Sequence, residues 1–575
     1  MNLFSHYQHK IFKSIKKLEK KNKILIPEKI KSFTVELPPK NQNADISCNA
    51  SMVLAKFNNT SPEKLANVIK NHLLNEFSEF KDIEIAKPGF LNIYFHISFW
   101  RKHLININKL DHKYGSNQST KKKYNIEFVS ANPTGPLHVG HCRGAIIGDT
   151  LSNLLIFNGN KVTKEYYVND YGEQIKNFVY SVYFRILEIT KNKPFPDDKN
   201  LYPGDYIREI AKTIVDKKYL KDFSDIKKIY KKLSSYSLKI SMKMIMKNLF
   251  LIDVKHDIFV YESDLIKNKS VDKAVKILQK GKYIYKGKLK APKGIDSSDW
   301  KERYQLLFKS TEFGDDTDRP LQKEDGTWTY FAGDIGYHAN KISRNFNILI
   351  NILGADHAGY IKRITSASKA LSKDRVNLIC KVSQLVKLFK NGEPFKMSKR
   401  KGDYITIEDL VNEVGKDSVR FMMLSRSNDA ELDFDFEKVT EKSKDNPVFY
   451  VQYAFARINS IFKLAKMEIN KKIEVDDENF DLNIHELQIL KKISEWPKCV
   501  QLASNKLEPH RIPFYLYELV TLFHSYWNLG KDNKDFRFIS DNKKPNKSRL
   551  FLLQGLSIVI KNGMSILGVS TPKSM

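Results

Sequence analysis

The segment IEFVSANPTGPLHVGHCRGAIIGDTLSNLLIFNG (126–159) decides the fold of this chain. Its first four residues, 126–129, predict a short buried strand, and the stretch rich in Asn, Pro and Gly after them predicts a loop. A helix is predicted next, Gly159 ends it, and 161–168 predicts a second strand. The helix is indicated by apolar residues at helical spacing, namely Ile146, Ile147, Leu151, Leu154 and Leu155. Strand, loop, helix and strand in this order are typical of a nucleotide-binding parallel sheet.

The 575 residues predict one further domain on each side of this unit. Residues 1–120 indicate an α+β domain, and 121–440 hold the parallel sheet with a Lys-rich helical insertion at about 175–290. Amphipathic patterns over 441–575 predict helices only. Within these domains we predict a helix start at Ser61 and Pro62, strands at 89–95, 328–332 and 348–353, and helices at 449–464, 484–500 and 514–529. The fold class is therefore α/β, with a Rossmann-like central domain.

Charge is the unusual feature of the composition. The chain has 97 Lys and Arg against 66 Asp and Glu, a net charge of +31. Such an excess favours a polyanionic partner, nucleic acid first and an anionic membrane surface second. A Lys-rich compositional bias on an ordinary enzyme surface remains an alternative.

Cysteine content and hydropathy indicate the cellular compartment of the protein. The four cysteines are Cys48, Cys142, Cys380 and Cys499, and their wide separation predicts neither a structural zinc site nor a disulfide framework. The basic N-terminus lacks the apolar core of a secretory signal, and we find no apolar run near the ~20 residues that span a bilayer. We therefore expect a soluble, cytoplasmic protein without a membrane partner.

Two histidines stand at the predicted helix start, in the motif Pro136-Leu137-His138-Val139-Gly140-His141. Residues three apart share one side of a helix, and Gly140 lets a bound group approach the backbone. A helix N-terminus offers unpaired N–H groups that suit the phosphates of a nucleotide. Two structural histidines in a turn are the alternative, because short motifs recur by accident.

A second motif, FKMSKRKG, lies far downstream at 395–402. Its four cations could close over a nucleotide and neutralise charge on a leaving pyrophosphate. A solvated basic loop is the commoner fate of a charge run. The two motifs in this order are far more specific than either one alone.

The motif pair resembles the HIGH and KMSKS signatures of class I aminoacyl-tRNA synthetases. The surrounding sequence is similar to the arginyl-tRNA synthetases among them, from about residue 34 to the end. The matching stretches are IEFVSANPTGPLHVGH (126–141), STEFGDDTDRPL (310–321), TWTYFAGDIGYH (327–338), LGADHAGYIKR (353–363), EVGKDSVRFMMLSRSNDAELDFDF (413–436), NPVFYVQYAFARI (446–458) and FLLQGLSIVIKNGMSILGVSTPKSM (551–575).

The resemblance implies that a carboxylate of arginine attacks the α-phosphorus of ATP, which is accompanied by Mg²⁺, and that the aminoacyl group then passes to the 2′-hydroxyl of the terminal adenosine of tRNA(Arg). His138, His141, Lys396 and Lys399 would be the catalytic residues. The ATP-binding set it implies is Pro136, His138, Gly140, His141, Lys396, Met397, Ser398 and Lys399.

By the same resemblance, Glu127 and Asn132 hold the α-amino and carboxylate end of arginine. Tyr330 and Asp334 hold the guanidinium, which carboxylates match best. Which of Asp356 and His357 supplies a further contact stays open. Taken without the family, Asp334 would be a helix N-cap and Tyr330 a core aromatic residue.

The acidic stretch FGDDTDRP (313–320) could hold Mg²⁺, but a turn with Asp side chains bonded to backbone amides is favoured, and Arg319 could pair with one of the acids. We therefore expect no protein metal site. The resemblance also implies a C-terminal anticodon-binding domain, a monomer, and tRNA contacts by Tyr450, Tyr453 and Met575. Core packing is the competing interpretation of Tyr450 and Tyr453.

Three other functions remain open at this stage. One is another class I synthetase, of the lysine or cysteine type, although the cysteine type would be expected to show a zinc-binding set. A small-molecule nucleotidylyltransferase can share HxGH but would not need the helical C-terminal domain. A non-catalytic RNA-binding protein would not need His138, His141, Lys396 and Lys399.

Overall fold

The computed structural model describes residues 2–28, 33–39, 41–117, 121–220, 222–289, 303–395, 405–476, 480–539 and 545–575. By internal contacts the chain forms two units. Unit 1 comprises Met1–Asn117, Lys442–Leu507 and Arg511–Met575, and unit 2 comprises Gln118–Glu441 and Glu508–His510.

The N-terminal part of unit 1 is an antiparallel sheet with helices against it. Its four strands lie in the order β1-β2-β4-β3. Ser61 caps α3 by accepting a hydrogen bond from the Lys64 amide (3.2 Å), and Pro62 follows, which confirms the predicted helix start. The elements are α1 (Leu3–Lys20), β1 (Val35–Glu36), β2 (Ile46–Cys48), α2 (Ala50–Ala55), α3 (Pro62–Glu76), β3 (Phe80–Ala86), β4 (Phe90–Phe95) and α4 (Ile97–Leu110).

Unit 2 is an α/β structure. Its first half contains β5 (Lys123–Glu127), α5 (Val139–Phe157), β6 (Lys161–Val168), α6 (Glu173–Lys191), α7 (Asp205–Asp216), α8 (Ile226–Leu251), β7 (Ile258–Tyr261), α9 (Glu262–Lys267), α10 (Ser270–Lys280) and β8 (Ile284–Gly287). Its second half contains β9 (Gln305–Phe308), β10 (Arg319–Pro320), α11 (Tyr330–Ser343), β11 (Ile348–Gly354), α12 (Ile361–Ser372), β12 (Asn377–Ser383), β13 (Val386–Lys390), β14 (Glu393–Pro394), α13 (Ile407–Val414), α14 (Lys416–Met423), β15 (Leu432–Asp435) and α15 (Phe436–Thr440).

The central sheet of unit 2 is parallel, in the order β12-β11-β5-β6-β7, which confirms the predicted βαβ unit. Helix α5 packs closely on one face, since a Cβ at Gly148 would lie 2.3 Å from Phe128 Cγ. Helix α11 covers the other face, where its polar side chains reach Glu127 and Glu165. Ligands of such sheets bind at the carboxyl ends of the strands. The predicted strand at 126–129 ends earlier, at Glu127, because Val129 and Ser130 take left-handed conformations (φ 70° and 41°).

Two predictions about unit 2 are wrong in part. The segment 328–332 is not a strand: Trp328 makes an isolated bridge, and Thr329 caps a helix from Tyr330 by accepting from the Ala332 amide (3.2 Å). The stretch 175–290 is not only a helical insertion. It also carries β7, which pairs with β6 and completes the parallel sheet.

The C-terminal part of unit 1 is helical, as predicted, with α16 (Pro447–Leu464), α17 (Ile484–Ser494), α18 (Trp496–Lys506), α19 (Arg511–Asp532) and α20 (Lys547–Leu567). The helix predicted over 484–500 is two helices, since Pro497 lacks an amide donor and fits only a first turn. Of the helices described, α20 alone is long and apolar enough to cross a membrane. It is the core helix of unit 1, with 89% of its most apolar window buried.

The two ends of the chain pack together in unit 1. The buried Trp496 indole donates to the Tyr114 carbonyl (3.0 Å), and the Tyr114 hydroxyl donates to the Ile493 carbonyl (3.2 Å). Gly115 (φ 96°) leaves room for the indole, because a Cβ there would lie 2.3 Å from Trp496 Nε1.

Candidate active site

The two histidines of the HxGH motif lie side by side at the start of α5. His138 is the N-cap residue, and its ring centroid is 3.9 Å from that of His141. His138 Nδ1 accepts from the Gly140 amide (3.1 Å), and His141 Nδ1 accepts from the His138 amide (3.3 Å). A Cβ at Gly140 would lie 2.9 Å from His138 Cε1, so glycine is needed for this packing.

Burial and these contacts together decide the charge and the proton position of the two imidazoles. Burial lowers the pKa of both rings, that of His141 to about 4, with a smaller contribution from the charge of His138. Both imidazoles are therefore neutral at pH 7. Since each Nδ1 is an acceptor, each ring carries its proton on Nε2. The pair offers neutral N–H donors beside the positive end of the α5 dipole, a combination that suits a phosphate.

Hydrogen bonds join the HxGH motif and the first turn of α5 to segments before and after the second predicted motif, FKMSKRKG (395–402). The Val139 amide donates to the Ile405 carbonyl (2.9 Å), and the Ile407 amide donates to the Leu137 carbonyl (3.0 Å). Arg143, fully buried, donates to the carbonyls of Gln384 (3.0 Å), Ala430 (2.7 Å) and Ser427 (2.8 Å). Lys396, Met397, Ser398 and Lys399 lie outside the described residues.

Glu127 ends β5 and is buried. One carboxylate oxygen accepts from the Ser130 hydroxyl (2.9 Å), and the other forms an ion pair with Lys341, which is 0% exposed. Lys341 also donates to Asn351 Oδ1 (3.0 Å) on the neighbouring strand, where Asn351 is in register with Glu127. The Glu127 carboxylate is thus fixed by a cation, a hydroxyl and the sheet.

A second group of acids lies at the ends of β6 and β7 and on α11. Asp334 Oδ2 accepts from the Tyr360 hydroxyl (2.6 Å). Glu262 follows β7, and its carboxylate is hydrogen-bonded to the Tyr167 hydroxyl. We call Asp334, Glu262 and Asp170 the acidic cluster.

Neighbouring acids contribute to the raised pKa values of two of these carboxylates. Burial raises the pKa of Glu262 to about 7, and the charges of Asp334 and Asp170 add to the shift. Burial also raises the pKa of Asp334 to about 6. The charge of Glu127 adds to that shift, and the hydrogen bond from Tyr360 opposes it. A bound cation would oppose both shifts, because it favours the charged form of a carboxylate.

Other predicted arginine-site residues are more exposed. Asn132 Nδ2 donates to Gln174 Oε1 (2.5 Å). The Tyr330 side chain is 81% exposed, with Lys323 Nζ 5.5 Å from its ring centroid, so it is not brought to the acidic cluster. His357 and Asp356 are exposed and lie 3.4 Å apart. Pro136 lies in the loop before α5, half-buried.

Comparison with known proteins agrees with this geometry. Family models match the arginyl tRNA synthetase N terminal domain at 5–95, the catalytic domain of tRNA synthetases class I (R) at 103–462, and the DALR anticodon binding domain at 451–575. The chain is 55% identical to an arginine–tRNA ligase of Pelagibacter ubique (strain HTCC1062) and 42% identical to one of Wolbachia pipientis wMel, with 100% of both chains covered in each case. The chain belongs to the arginyl-tRNA synthetase family.

A solved structure supports the fold of this arginyl-tRNA synthetase family member. The Thermus thermophilus arginyl-tRNA synthetase matches with a TM-score of 0.71 and 17% identity, covering 100% of both chains. The family and the fold class predicted from the sequence are thereby confirmed.

The acidic stretch of the synthetase domain is a turn, as predicted. Asp315 accepts two hydrogen bonds from Arg319 (2.8 Å each), and Asp318 accepts from the Thr311 amide (3.1 Å). Among the described residues, no three His, Cys, Asp or Glu side chains are grouped as metal ligands would be.

The candidate tRNA-binding residues lie in unit 1. The Tyr450 ring lies beside His524 (centroids 4.2 Å apart, planes tilted by 33°), and Tyr453 lies under the Arg457 guanidinium (4.1 Å). Both tyrosines are half-buried, so packing accounts for part of each ring. Met575 is 57% exposed.

Sequence reasoning missed the partners of the predicted site. Lys341, Glu262 and Tyr360 were not among its candidates, although each contacts or acts on a residue of the site. A signal was available for one of them. Asp334, His338 and Lys341 follow at i, i+4 and i+7, so they form a polar stripe along one side of helix α11.

Proposed function

We propose that this chain is an arginine–tRNA ligase, which forms arginyl-adenylate from arginine and ATP and then arginylates tRNA(Arg). The observation that carries the proposal is the position of the acidic cluster and Glu127 at the carboxyl ends of β5, β6 and β7, with paired neutral imidazoles at the start of the helix that follows β5. The acids suit a cationic group, and the paired imidazoles suit phosphate groups. Arginine and ATP together have them.

In the first step, a carboxylate oxygen of arginine attacks the α-phosphorus of ATP, and the bond from that phosphorus to the bridging oxygen breaks. Pyrophosphate leaves with the electron pair. We assign His138 and His141 to phosphate binding. Each Nδ1 accepts a hydrogen bond from a backbone amide, so each ring would donate to the phosphates through its Nε2 proton. Pro136 and Gly140 shape this contact, and neutral donors orient the phosphates without trapping the product.

We assign Lys396 and Lys399, with Met397 and Ser398 between them, to the departing phosphates on the strength of the sequence alone. Mg²⁺ would arrive with ATP and supply charge neutralisation. Nucleotide-bound Mg²⁺ needs few protein ligands.

Arginine selection is assigned to the acids. The guanidinium would lie against Asp334, with Tyr330 at the rim, while Glu127, Asn132 and either His357 or Asp356 would hold the amino-acid end. Glu262 is added to this set, because it directly follows β7 and forms no ion pair with another described residue. A neutral analogue such as citrulline would leave buried carboxylates unpaired, at about 3–5 kcal/mol.

In the second step, the 2′-hydroxyl oxygen of the terminal adenosine attacks the carbonyl carbon of the adenylate, AMP leaves, and the hydroxyl proton is lost. We propose that residues 121–440 perform this chemistry, that 1–120 contact the tRNA, and that 441–575 bind the anticodon through Tyr450, Tyr453 and Met575. We further propose that the enzyme acts as a monomer in the cytoplasm, where its substrates meet.

ATP–pyrophosphate exchange tests the function. Arginine, lysine and cysteine are each supplied with and without tRNA(Arg), followed by a charging assay with tRNA(Arg). We expect exchange with arginine alone among the three amino acids. Absence of arginine-dependent exchange under both conditions contradicts the proposal.

A further inference from the structure

A row of buried hydrogen bonds joins Glu127 to the main chain of Asp334 within unit 2. Lys341 forms an ion pair with Glu127 and donates to Asn351 Oδ1 (3.0 Å). Asn351 Nδ2 lies 3.0 Å from His338 Nε2, and His338 Nδ1 lies 2.9 Å from the Asp334 carbonyl oxygen. Lys341, Asn351 and His338 are all buried. We call these three side chains the α11 network.

The chemistry of its end groups gives the α11 network one orientation. The Asp334 carbonyl can only accept a hydrogen bond, so His338 carries its proton on Nδ1 and accepts at Nε2. Asn351 therefore presents its amide nitrogen to His338 and its oxygen to Lys341, which can only donate. Burial, together with the charge of Lys341, lowers the pKa of His338 to about 3, so the ring is neutral at pH 7. Each side chain of the network thus has a single hydrogen-bonded arrangement.

This network does more than hold helix α11 against the sheet. Apolar packing already does that, because Ile335 on α11 and Leu349 on β11 belong to one buried core. Burial of apolar surface is not directional, so it does not fix where along the sheet the helix lies. Hydrogen bonds weaken once donor and acceptor leave a range of about 2.7–3.2 Å. The network therefore fixes the position of α11 along the sheet.

The position of α11 matters for the proposed arginine site, because the two ends of that site lie on different elements. Glu127 ends β5 and is in register with Asn351. Asp334 lies on α11, seven residues before Lys341, or about 10 Å along the helix axis at 1.5 Å per residue. Tyr360 holds the Asp334 carboxylate (2.6 Å). The distance from Glu127 to that carboxylate thus depends on where the network places the helix.

We propose that His338 and Asn351 are positioning residues, which set the separation of Glu127 and Asp334 and so select the length of the amino-acid side chain. The inference rests on the proposed function, in which Glu127 holds the amino-acid end of arginine and Asp334 the guanidinium. It adds two specificity determinants that act through other residues. The amino acids to be rejected carry the same guanidinium on a side chain one methylene longer or shorter.

Pyrophosphate exchange with amino acids of different length tests the proposal on the full-length chain. Arginine is compared with homoarginine, one methylene longer, and with 2-amino-4-guanidinobutanoate, one methylene shorter, each in the presence of tRNA(Arg). The variants are His338→Leu, Asn351→Leu and the double variant H338L/N351L. The matched control is Leu349→Ala, which loosens the apolar contact between β11 and α11 without touching the network.

The wild type should prefer arginine to either analogue at least tenfold in kcat/KM, since one methylene is worth about 10–200-fold in a fitted site. In all three network variants this preference should fall to about threefold or less, because α11 can then shift to fit an analogue. The KM for ATP should stay at the wild-type value in each variant. The control should keep the wild-type preference.

Urea unfolding separates positioning from folding. Each single variant leaves a buried polar partner without a hydrogen bond and should lower the unfolding midpoint. The double variant replaces both partners with apolar groups, so its midpoint should lie closer to the wild-type value while its preference stays relaxed. Leu349→Ala should lower the midpoint through its cavity.

An unchanged preference in the double variant would overturn the inference. So would an equal loss of preference in Leu349→Ala, since loosened packing would then explain the effect. Absence of arginine-dependent exchange by the wild type would refute the proposed function itself. When the wild type is active, the preferences of the variants decide the inference alone.

Discussion

In the proposed site, Asp334 is the residue on which arginine selection should depend most directly. It is held by Tyr360, and burial raises its pKa to about 6. A carboxylate held in this way attracts a guanidinium strongly, because both charges are shielded from water. Glu262 strengthens the effect, since no described cation pairs with its carboxylate in the cluster.

Replacement of Asp334 by asparagine should therefore change the KM for arginine but not the KM for ATP. Asp334→Asn keeps an acceptor for Tyr360 but removes the charge. We expect the KM for arginine to rise at least a hundredfold, given about 3–5 kcal/mol for a buried charge pair, with little change in the KM for ATP. Steady-state pyrophosphate exchange with each substrate varied measures both KM values, with the exposed Asp433→Asn as control. Equal increases for both substrates would exclude Asp334 from the arginine pocket.

Arginine binding should also depend on pH. Asp334 and Glu262 have raised pKa values of about 6 and 7, so both lose charge as the pH falls below 7. The KM for arginine should fall about tenfold or more between pH 6 and 8 and then level off. The stability of the enzyme without arginine should change with pH in the opposite direction to arginine binding. Because the two carboxyl pKa values are raised in the folded state, the free energy of unfolding should decline as the pH rises from about 4 to 7.

Two controls check the origin of this dependence. The KM for ATP should change much less over the same range, because burial lowers the pKa of both histidines, that of His141 to about 4. In Glu262→Gln the midpoint of the arginine profile should shift down toward 6. An arginine profile that is flat from pH 6 to 8 would contradict the assignment of these acids.

At the scale of elements, the start of α5 holds the two imidazoles that we propose bind phosphate. Gly140 permits the two imidazoles to share the space before the first turn. A Cβ at Gly144, one turn later, would meet no described atom from outside its own helix within 4 Å. The two glycines therefore provide a comparison within one helix.

Gly140→Ala should reduce ATP binding without unfolding the helix. The added methyl would displace the His138 ring, which is the movable end of a side chain, so the energetic cost falls on the site. We expect the KM for ATP to rise about tenfold, or about 1.4 kcal/mol, and the KM for arginine to change little. Gly144→Ala should leave both values unchanged and raise the free energy of unfolding by about 0.5–1 kcal/mol. Similar kinetics for the two variants would count against a phosphate role for His138.

Helix α11 is joined to the sheet by charges. Lys341 contacts Glu127 on β5 and Asn351 on β11, and it is wholly buried. This lysine fixes the Glu127 carboxylate and also holds the helix against the sheet.

Removal of this lysine should destabilise unit 2. Lys341→Met leaves Glu127 buried without its cation and should lower the free energy of unfolding by ~3–5 kcal/mol. The double variant Lys341→Met/Glu127→Gln should recover most of this loss in urea unfolding, yet keep a raised KM for arginine. The exposed Lys369→Met is the control. If the double variant recovers both stability and arginine KM, Glu127 has no role in binding.

At the scale of the molecule, the first and last parts of the chain share one unit. Trp496 is the clearest link, since its indole donates to Tyr114 and packs where Gly115 leaves space. The N-terminal domain and the C-terminal helices should therefore lose structure together.

Trp496→Ala tests this coupling. The cavity should cost about 3–5 kcal/mol, and hydrogen exchange should accelerate in both 1–117 and 442–575. Strands β5 and β11 of unit 2 should keep the wild-type rate. Leu502→Ala, on the exposed side of the same helix, should leave all regions unchanged. Acceleration confined to 442–575 would show that the two segments are independent.

Local sequence determined the βαβ unit, the helix start at Ser61 and the histidine pair at the head of α5. Caps, apolar periodicity and glycine placement act within a few residues, so a short window contains the needed information. The same local rules misassigned 328–332, where the aromatic residues suited a strand and the Thr329 cap favoured a helix. They also failed to find β7 inside a Lys-rich stretch.

Tertiary structure alone decided which charges meet. Glu127 is 214 residues from Lys341 in the chain, and Glu262 and Asp334 come together only because β7 and α11 lie at the same end of one sheet. No local sequence pattern predicts such pairs. The free energy of a buried charge depends on its neighbours, and the order of the strands in the sheet decides which residues these are.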